Sequence, residues 1–193
     1  MASRRLMSLM SLIIVLAATS LTNATLYNLN DYWVDIDYLV GSGTNETIVV
    51  IDWNQTNGPY TTESHAWGYR WDGTKYLSDA LTAIDAAGAL NITTSYGGAF
   101  PDDAFYNDPS IDSDNHTSAG WSGWWWLGDT VNGASWTPNA GGITSEVLVN
   151  GNIEGMNIDS GAWTSDTLSI PVPEPTTIAL LGLGGLLLRR RRA

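Results

Sequence analysis

Three groups of side chains in this 193-residue sequence have the types and spacing to do chemistry. The first is acidic. Asp108, Asp112 and Asp114 fall in the stretch 101–118, which also holds Asp102, Asp103, Asn115 and His116. Closely spaced carboxylates in a loop are the ligand set of a hard cation, and Asp112-Ser113-Asp114 opens like a calcium loop. The pattern then departs from an EF-hand, because positions five and six are His116 and Thr117 where an Asx residue and a glycine are needed. Two readings stand side by side: an irregular calcium site on Asp108, Asp112 and Asp114, or a solvated acidic loop.

The second group is aromatic. In 65–71, Trp67, Tyr69 and Trp71 alternate with Gly68 and Arg70, so a strand there sends all three rings to one face. Such a face could stack on the apolar faces of pyranose rings, or it could be core, with Arg70 on the solvent side paired to an aspartate. Trp124, Trp125 and Trp126 are consecutive, so one strand cannot put all three into one core. Either Trp125 or the Trp124/Trp126 pair faces outward or lies under another element, and exposed aromatic area suggests a partner contact.

The third group would be catalytic, and it is thin. The only histidines are His65 and His116, and no Gly-X-Ser-X-Gly elbow, His-Glu-X-X-His pair or phosphate-binding glycine loop occurs. Paired carboxylates could serve a glycosidase, but among so many acidic residues such pairs arise by chance. The chain is expected not to be an enzyme and to need no cofactor, calcium being the one ion its residues invite.

Composition narrows the partners. The formal net charge is −12, yet between residues 25 and 170 only Arg70 and Lys75 are basic against nineteen acidic residues. Two minus nineteen leaves about −17 for that body. Nucleic acid is excluded as a partner, since phosphate binding needs a cationic footprint; divalent cations and sugar hydroxyls suit the surface better. With no cysteine there are no disulfides, so packing must hold the fold. The body has the size of one ordinary domain.

The elements that must position these groups read as follows. Strands are expected at 30–40, at 47–53 (a β-branched run and the central strand), at 65–71, at 90–96 and at 121–127. A hairpin is expected from 144–149 through Asn150-Gly151 to 153–158. One helix is expected over 78–87, N-capped by Ser78 or starting at Thr74, with Gly88 as its C-cap. Residues 101–118 read as a long loop, and 136–142 as irregular. The sum is an α+β domain, mostly antiparallel β-sheet with one short helix, on a β-grasp-like plan with a β-sandwich as the alternative.

The two ends read as addresses. Arg4 and Arg5, the apolar run 6–18 and a small-residue exit at Thr22-Asn23-Ala24 make 1–24 a secretory signal peptide, with 25–170 the globular domain and 171–193 a separate tail. In the tail, Pro173-Glu174-Pro175 precedes the apolar run 178–188 and the cluster Arg189, Arg190, Arg191 and Arg192. Eleven residues make about 16 Å of helix against a hydrocarbon core of about 30 Å, a short transmembrane segment whose arginines stay cytoplasmic.

That order of motif, run and basic cluster resembles the PEP-CTERM sorting signal of Gram-negative bacteria. The resemblance implies recognition of Pro173, Glu174 and Pro175 by exosortase, removal of a transiently membrane-anchored tail, signal peptidase action at the other end, and a surface or extracellular protein associated with polysaccharide and biofilm. The segment 66–73, the helix after it and the tryptophan-rich strand are similar to the body of many PEP-CTERM proteins. The order of elements is more faintly similar to the C-terminal domain of transcobalamin-like proteins. The expected function is a non-catalytic binding or structural component of the exopolysaccharide matrix; the alternative is a small-ligand-binding module, and a glycoside hydrolase is disfavoured.

Overall fold

The computed structural model of the chain describes residues 25–53, 64–88, 90–107, 115–117, 124–133, 135–139, 141–159 and 168–172. The expected signal peptide at 1–24 and the residues from Pro173 onward, including the arginine cluster, lie outside the described residues. Among the described residues, no helix is long and apolar enough to cross a membrane.

Among the described residues strands dominate and one α-helix accompanies them, the α+β class expected from the sequence. The central element is β4 (Asn45–Asp52), whose run of Thr47, Ile48, Val49, Val50 and Ile51 is buried throughout. β-Branched residues fit an extended backbone, and a run without polar alternation fits a strand covered on both faces. β4 pairs antiparallel with β5 (Ser64–Trp71), and β5 pairs in parallel with the short β3 (Leu39–Gly41). On its other side β4 pairs in parallel with β11 (Ile153–Asp159), which is antiparallel to β9 (Trp124–Thr130). The two-residue β10 (Thr137–Pro138) closes that edge, giving the order β10-β9-β11-β4-β5-β3.

One face of this mixed sheet carries Val49, Ile51, Trp67, Tyr69, Trp71, Leu127 and Met156, and α1 (Leu77–Ala87) packs on it through Leu77, Ala80, Leu81 and Ile84. The opposite face carries Ile48, Val50, Ala66 and Ile153, covered by Leu29, Val34 and Ile36. Those three come from a hairpin of β1 (Thr25–Leu29) and β2 (Tyr32–Ile36). The expected single strand at 30–40 is thus replaced by the return of one hairpin and a separate edge strand. The reason is the Asn30-Asp31 turn: both residues have positive φ, 49° and 68°, as a two-residue hairpin turn matched to strand twist requires.

Two further readings are corrected. Residues 101–118 are not one loop. β7 (Phe100–Asn107) pairs with β6 (Asn91–Ser95) and with β8 (Asn115–Thr117) in a second, antiparallel sheet. Ala104 and Tyr106 enter the core, and the Trp53 indole donates to the Ala104 carbonyl at 2.8 Å. The expected 144–149 strand does not pair with 153–158. Asn150-Gly151 does turn, with Asn152 N donating to the Val149 carbonyl at 3.1 Å, but it delivers the chain to β11, whose partners are β4 and β9. Residues 141–148 instead pack against the start of α1, where Leu77 and Ser78 donate to the carbonyls of Glu146 and Ile143.

The helix starts one residue before Ser78, with Tyr76 as its N-cap residue and the Asp79 carboxylate accepting from the Tyr76 amide at 2.9 Å. Gly88 is its C-cap residue, as expected, in extended conformation. A Cβ at Gly88 would strike the ring and hydroxyl of Tyr38, whose hydroxyl donates to the Ile84 carbonyl at 3.0 Å.

Gly155 shows how tightly the hairpin side is packed. A Cβ there would lie 2.6 Å from Trp136 Cη2 and 2.7 Å from Leu168 Cδ1. Gly155→Ala is expected to lower stability by about 1–3 kcal/mol, the usual cost of overpacking a core. Urea unfolding followed by circular dichroism measures this, and a midpoint equal to that of the parent would contradict the packing.

Candidate functional site

Strand β5 alternates as its sequence dictates, and the structure decides what the rings face. Trp67, Tyr69 and Trp71 are at most 6 % exposed and lie beneath α1 and the second sheet. Tyr69 and Trp71 stack with ring centroids 5.7 Å apart, and Trp67 meets Tyr106 edge to face at 5.2 Å. The stacking-platform reading of these three residues is corrected: a covered ring offers no face to a sugar. Arg70, on the other face, pairs with a glutamate and not an aspartate; its Nε and Nη2 donate to Glu46 Oε2 at 3.2 and 3.1 Å. The backbone of Trp124, Trp125 and Trp126 begins β9, but their side chains lie outside what is described, as do Asp108, Asp112 and Asp114 altogether.

His65 Nδ1 lies 3.0 Å from Asp37 Oδ2. An Asp–His pair is the arrangement that orients an imidazole for proton transfer. Here, however, the ring is 5 % exposed and packed among Trp53, Trp67 and Tyr106, so the pair joins β5 to the β2–β3 connection inside the core.

An acidic group that sequence reasoning passed over comes together at the far end of the large sheet. Asp129 on β9 and Glu154 on β11 are directly opposite in the antiparallel register and share the helix-side face. Glu146 reaches them from the 141–148 segment, and carboxylate oxygens of all three lie within 4.8 Å of one another. Asn152 Nδ2 donates to Asp129 Oδ2 at 3.0 Å. Glu154 is 1 % exposed and neither of its carboxylate oxygens has a hydrogen-bond partner. Burial first, and then the charges of Glu146 and Asp129, push its carboxyl up to about 8. Burial and the charge of Asp129 likewise raise Glu146. The signal for this cluster was an acidic residue flanked by the apolar Ile153, Gly155 and Met156.

The second sheet presents a different surface. In the β6–β7 register Ser95 faces Phe100, Thr93 faces Asp103 and Asn91 faces Phe105, on the side opposite the buried Ala104 and Tyr106. Phe100 and Phe105 are about 40 % and 39 % exposed. At the tip, Tyr96 is 78 % exposed and sits edge to face with Phe100 at 6.1 Å. Its φ of 49° is a left-handed conformation that a bulky residue rarely adopts.

The chain leaves the body along residues 168–172. Leu168 is buried against the hairpin-side core, Ser169 N donates to the buried Asp52 carboxylate at 2.7 Å, and the Pro171 carbonyl accepts from Asp35 N at 2.9 Å. The family model described as the PEP-CTERM protein-sorting motif matches residues 171–192. The chain therefore carries the C-terminal signal of an exported, exosortase-sorted protein, and that signal begins where the docked segment ends. No curated protein and no solved structure matches the chain.

The raised carboxyl of Glu154 makes stability depend on pH. An unfolded glutamate ionises near its ordinary 4.5, so between there and about 8 the folded chain holds a proton that the unfolded chain has released. This contribution is fully present below the lower value and is lost as pH rises through the upper one. In chelator, stability is expected to fall across that window with a slope approaching about 1.4 kcal/mol per pH unit, read out as a falling melting temperature. Glu154→Gln should flatten the slope; thermal melts at several pH values that show the same slope in both proteins would refute the assignment.

Proposed function

We propose that this exported, exosortase-sorted chain is a non-catalytic component of the extracellular polysaccharide matrix at the cell surface, holding neutral glycan on the outer face of β6 and β7. The observation that carries the reading is the exposed aromatic set on that face. Tyr96, Phe100 and Phe105 are spaced along a hairpin whose intervening outward residues, Asn91, Thr93, Ser95 and Asp103, offer amide, hydroxyl and carboxylate groups. Rings match the apolar C–H faces of pyranoses, while the polar groups between them suit sugar hydroxyls. The strained backbone at Tyr96 supports the reading, since such strain concentrates at functional positions.

The charge of the body supports a neutral glycan. With about −17 between residues 25 and 170, the surface repels acidic polymers and nucleic acid alike. The burial of His65 in an aromatic cage supports a role without catalysis.

Tyr96→Ala combined with Phe105→Ala should weaken retention on neutral polysaccharide about tenfold or more, since losing 1.4 kcal/mol of contact energy is tenfold in affinity. Tyr96 is exposed, so its truncation alone should change stability by no more than about 0.5 kcal/mol. Affinity electrophoresis through gels containing neutral polysaccharides makes the measurement. Free migration of the parent protein through all of them, or equal retardation of the variant, would sink the reading.

A further inference from the structure

We propose that Asp129, Glu146 and Glu154 bind a hard divalent cation of the calcium class at the junction of β9, β11 and the 141–148 segment. This site uses none of the aromatic residues of the glycan reading and is independent of it. It also differs from the calcium loop that Asp108, Asp112 and Asp114 suggested.

Geometry comes first. Calcium–oxygen bonds are about 2.3–2.6 Å long, so two oxygens on opposite sides of one ion are separated by roughly twice that. Three carboxylates whose ligand atoms all lie within 4.8 Å of one another can therefore share a single ion.

Burial supplies the second observation. Glu154 is 1 % exposed, points into the cluster, and has no hydrogen-bond partner on either oxygen. A buried carboxylate in that state is costly, and paired or metal-bound charges are the usual resolution. Its neighbour across the strand is Asp129, and like charges directly opposite in a sheet are destabilising.

Among the described residues, both lysine and arginine side chains are engaged elsewhere. Arg70 and Lys75 are the only lysine or arginine side chains between residues 25 and 170. Arg70 is paired with Glu46 at 3.1 Å and Lys75 with Asp79 at 3.3 Å. The cluster therefore draws its neutralisation from solution, as a proton on Glu154 when empty and as a cation when occupied. Its all-oxygen donor set selects calcium, magnesium or manganese over metals that favour nitrogen or sulfur ligands. Asn152, donating to Asp129 Oδ2, orients that carboxylate toward the others. A bound ion would join two strands of the large sheet to the segment that receives the first amides of α1, so binding should be read out as stability.

The test is titration of the full chain, stripped with chelator, with calcium chloride and separately with magnesium chloride, by calorimetry and thermal melting. Concentrations should run past about 1 mM, the weak end for extracellular calcium modules. One site is expected, with a rise in melting temperature that chelator reverses and that potassium chloride at equal ionic strength does not reproduce. Asp129→Asn and Glu154→Gln should each weaken binding at least tenfold. Glu154→Gln puts a neutral amide of the same size in place of a carboxyl that is costly to ionise, so in chelator it should melt no lower than the parent, which separates lost binding from lost folding. A triple change of Asp108, Asp112 and Asp114 to Asn should leave this binding intact. Three results would each overturn the proposal: no response of the parent to either metal, undiminished binding in both single variants, or a parent that is stabilised by acid and by no cation.

Discussion

Strand β4 has no solvent side. Ile48 and Val50 are sealed under the β1–β2 hairpin while Val49 and Ile51, one residue out of phase, are sealed under α1. A strand covered on both faces needs an apolar central run, and its partners must then supply two different cores from alternate residues. β5 does this with Ala66 on one side and Trp67, Tyr69 and Trp71 on the other. The three-layer build, with hairpin below and helix plus small sheet above, follows from that requirement. With no cysteine in the sequence, this double burial takes the place of covalent staples.

The same layering organises the charges. Strands that feed two cores leave most polar side chains to sheet ends, edges and outer faces. Arg70 lies toward one such margin with Glu46 and Tyr27, Tyr27 donating to Glu46 Oε2 at 2.6 Å. Asp129, Glu146 and Glu154 gather at another, while the two basic side chains among the described residues pair elsewhere. An acidic surface is ordinary in a solvated protein, but an acidic cluster whose central member is buried is not, because desolvation removes the water that would screen it. The cluster is therefore the place where the composition of this chain turns into a local physical demand.

The sorting signal is coupled to the fold more closely than a linker would be. Leu168 and Ile170 lie against the hairpin-side core, and the Pro171 carbonyl is hydrogen bonded to β2. The matched motif starts at residue 171, so the folded body and the address share a boundary. An apolar tail segment could be read as an address from sequence because that signal is local. The docking of the preceding residues could not, because its partners, Asp35 and Asp52, are more than a hundred residues away in the chain.

Local chemistry was legible wherever one residue's neighbours in sequence were enough to specify it. The β-branched run of β4, the alternation of β5, the helix over most of its length and the Pro-Glu-Pro tail are all of this kind. The sequence also determined that the body carries nineteen acids against two bases, and with it the sign of every surface. Tertiary structure decided which face each alternation shows to what. It buried the β5 rings that could have met a sugar, turned an acidic stretch containing Pro101 into a strand because Ala104 and Tyr106 complete the core, and exposed Phe100 and Phe105 instead. It also paired 153–159 with β4 and β9 in place of the adjacent segment, which is what set Glu154 opposite Asp129. Strand pairing is a long-range choice, made by the burial that each partner completes, and a period-two pattern fixes two faces without saying which of them meets water.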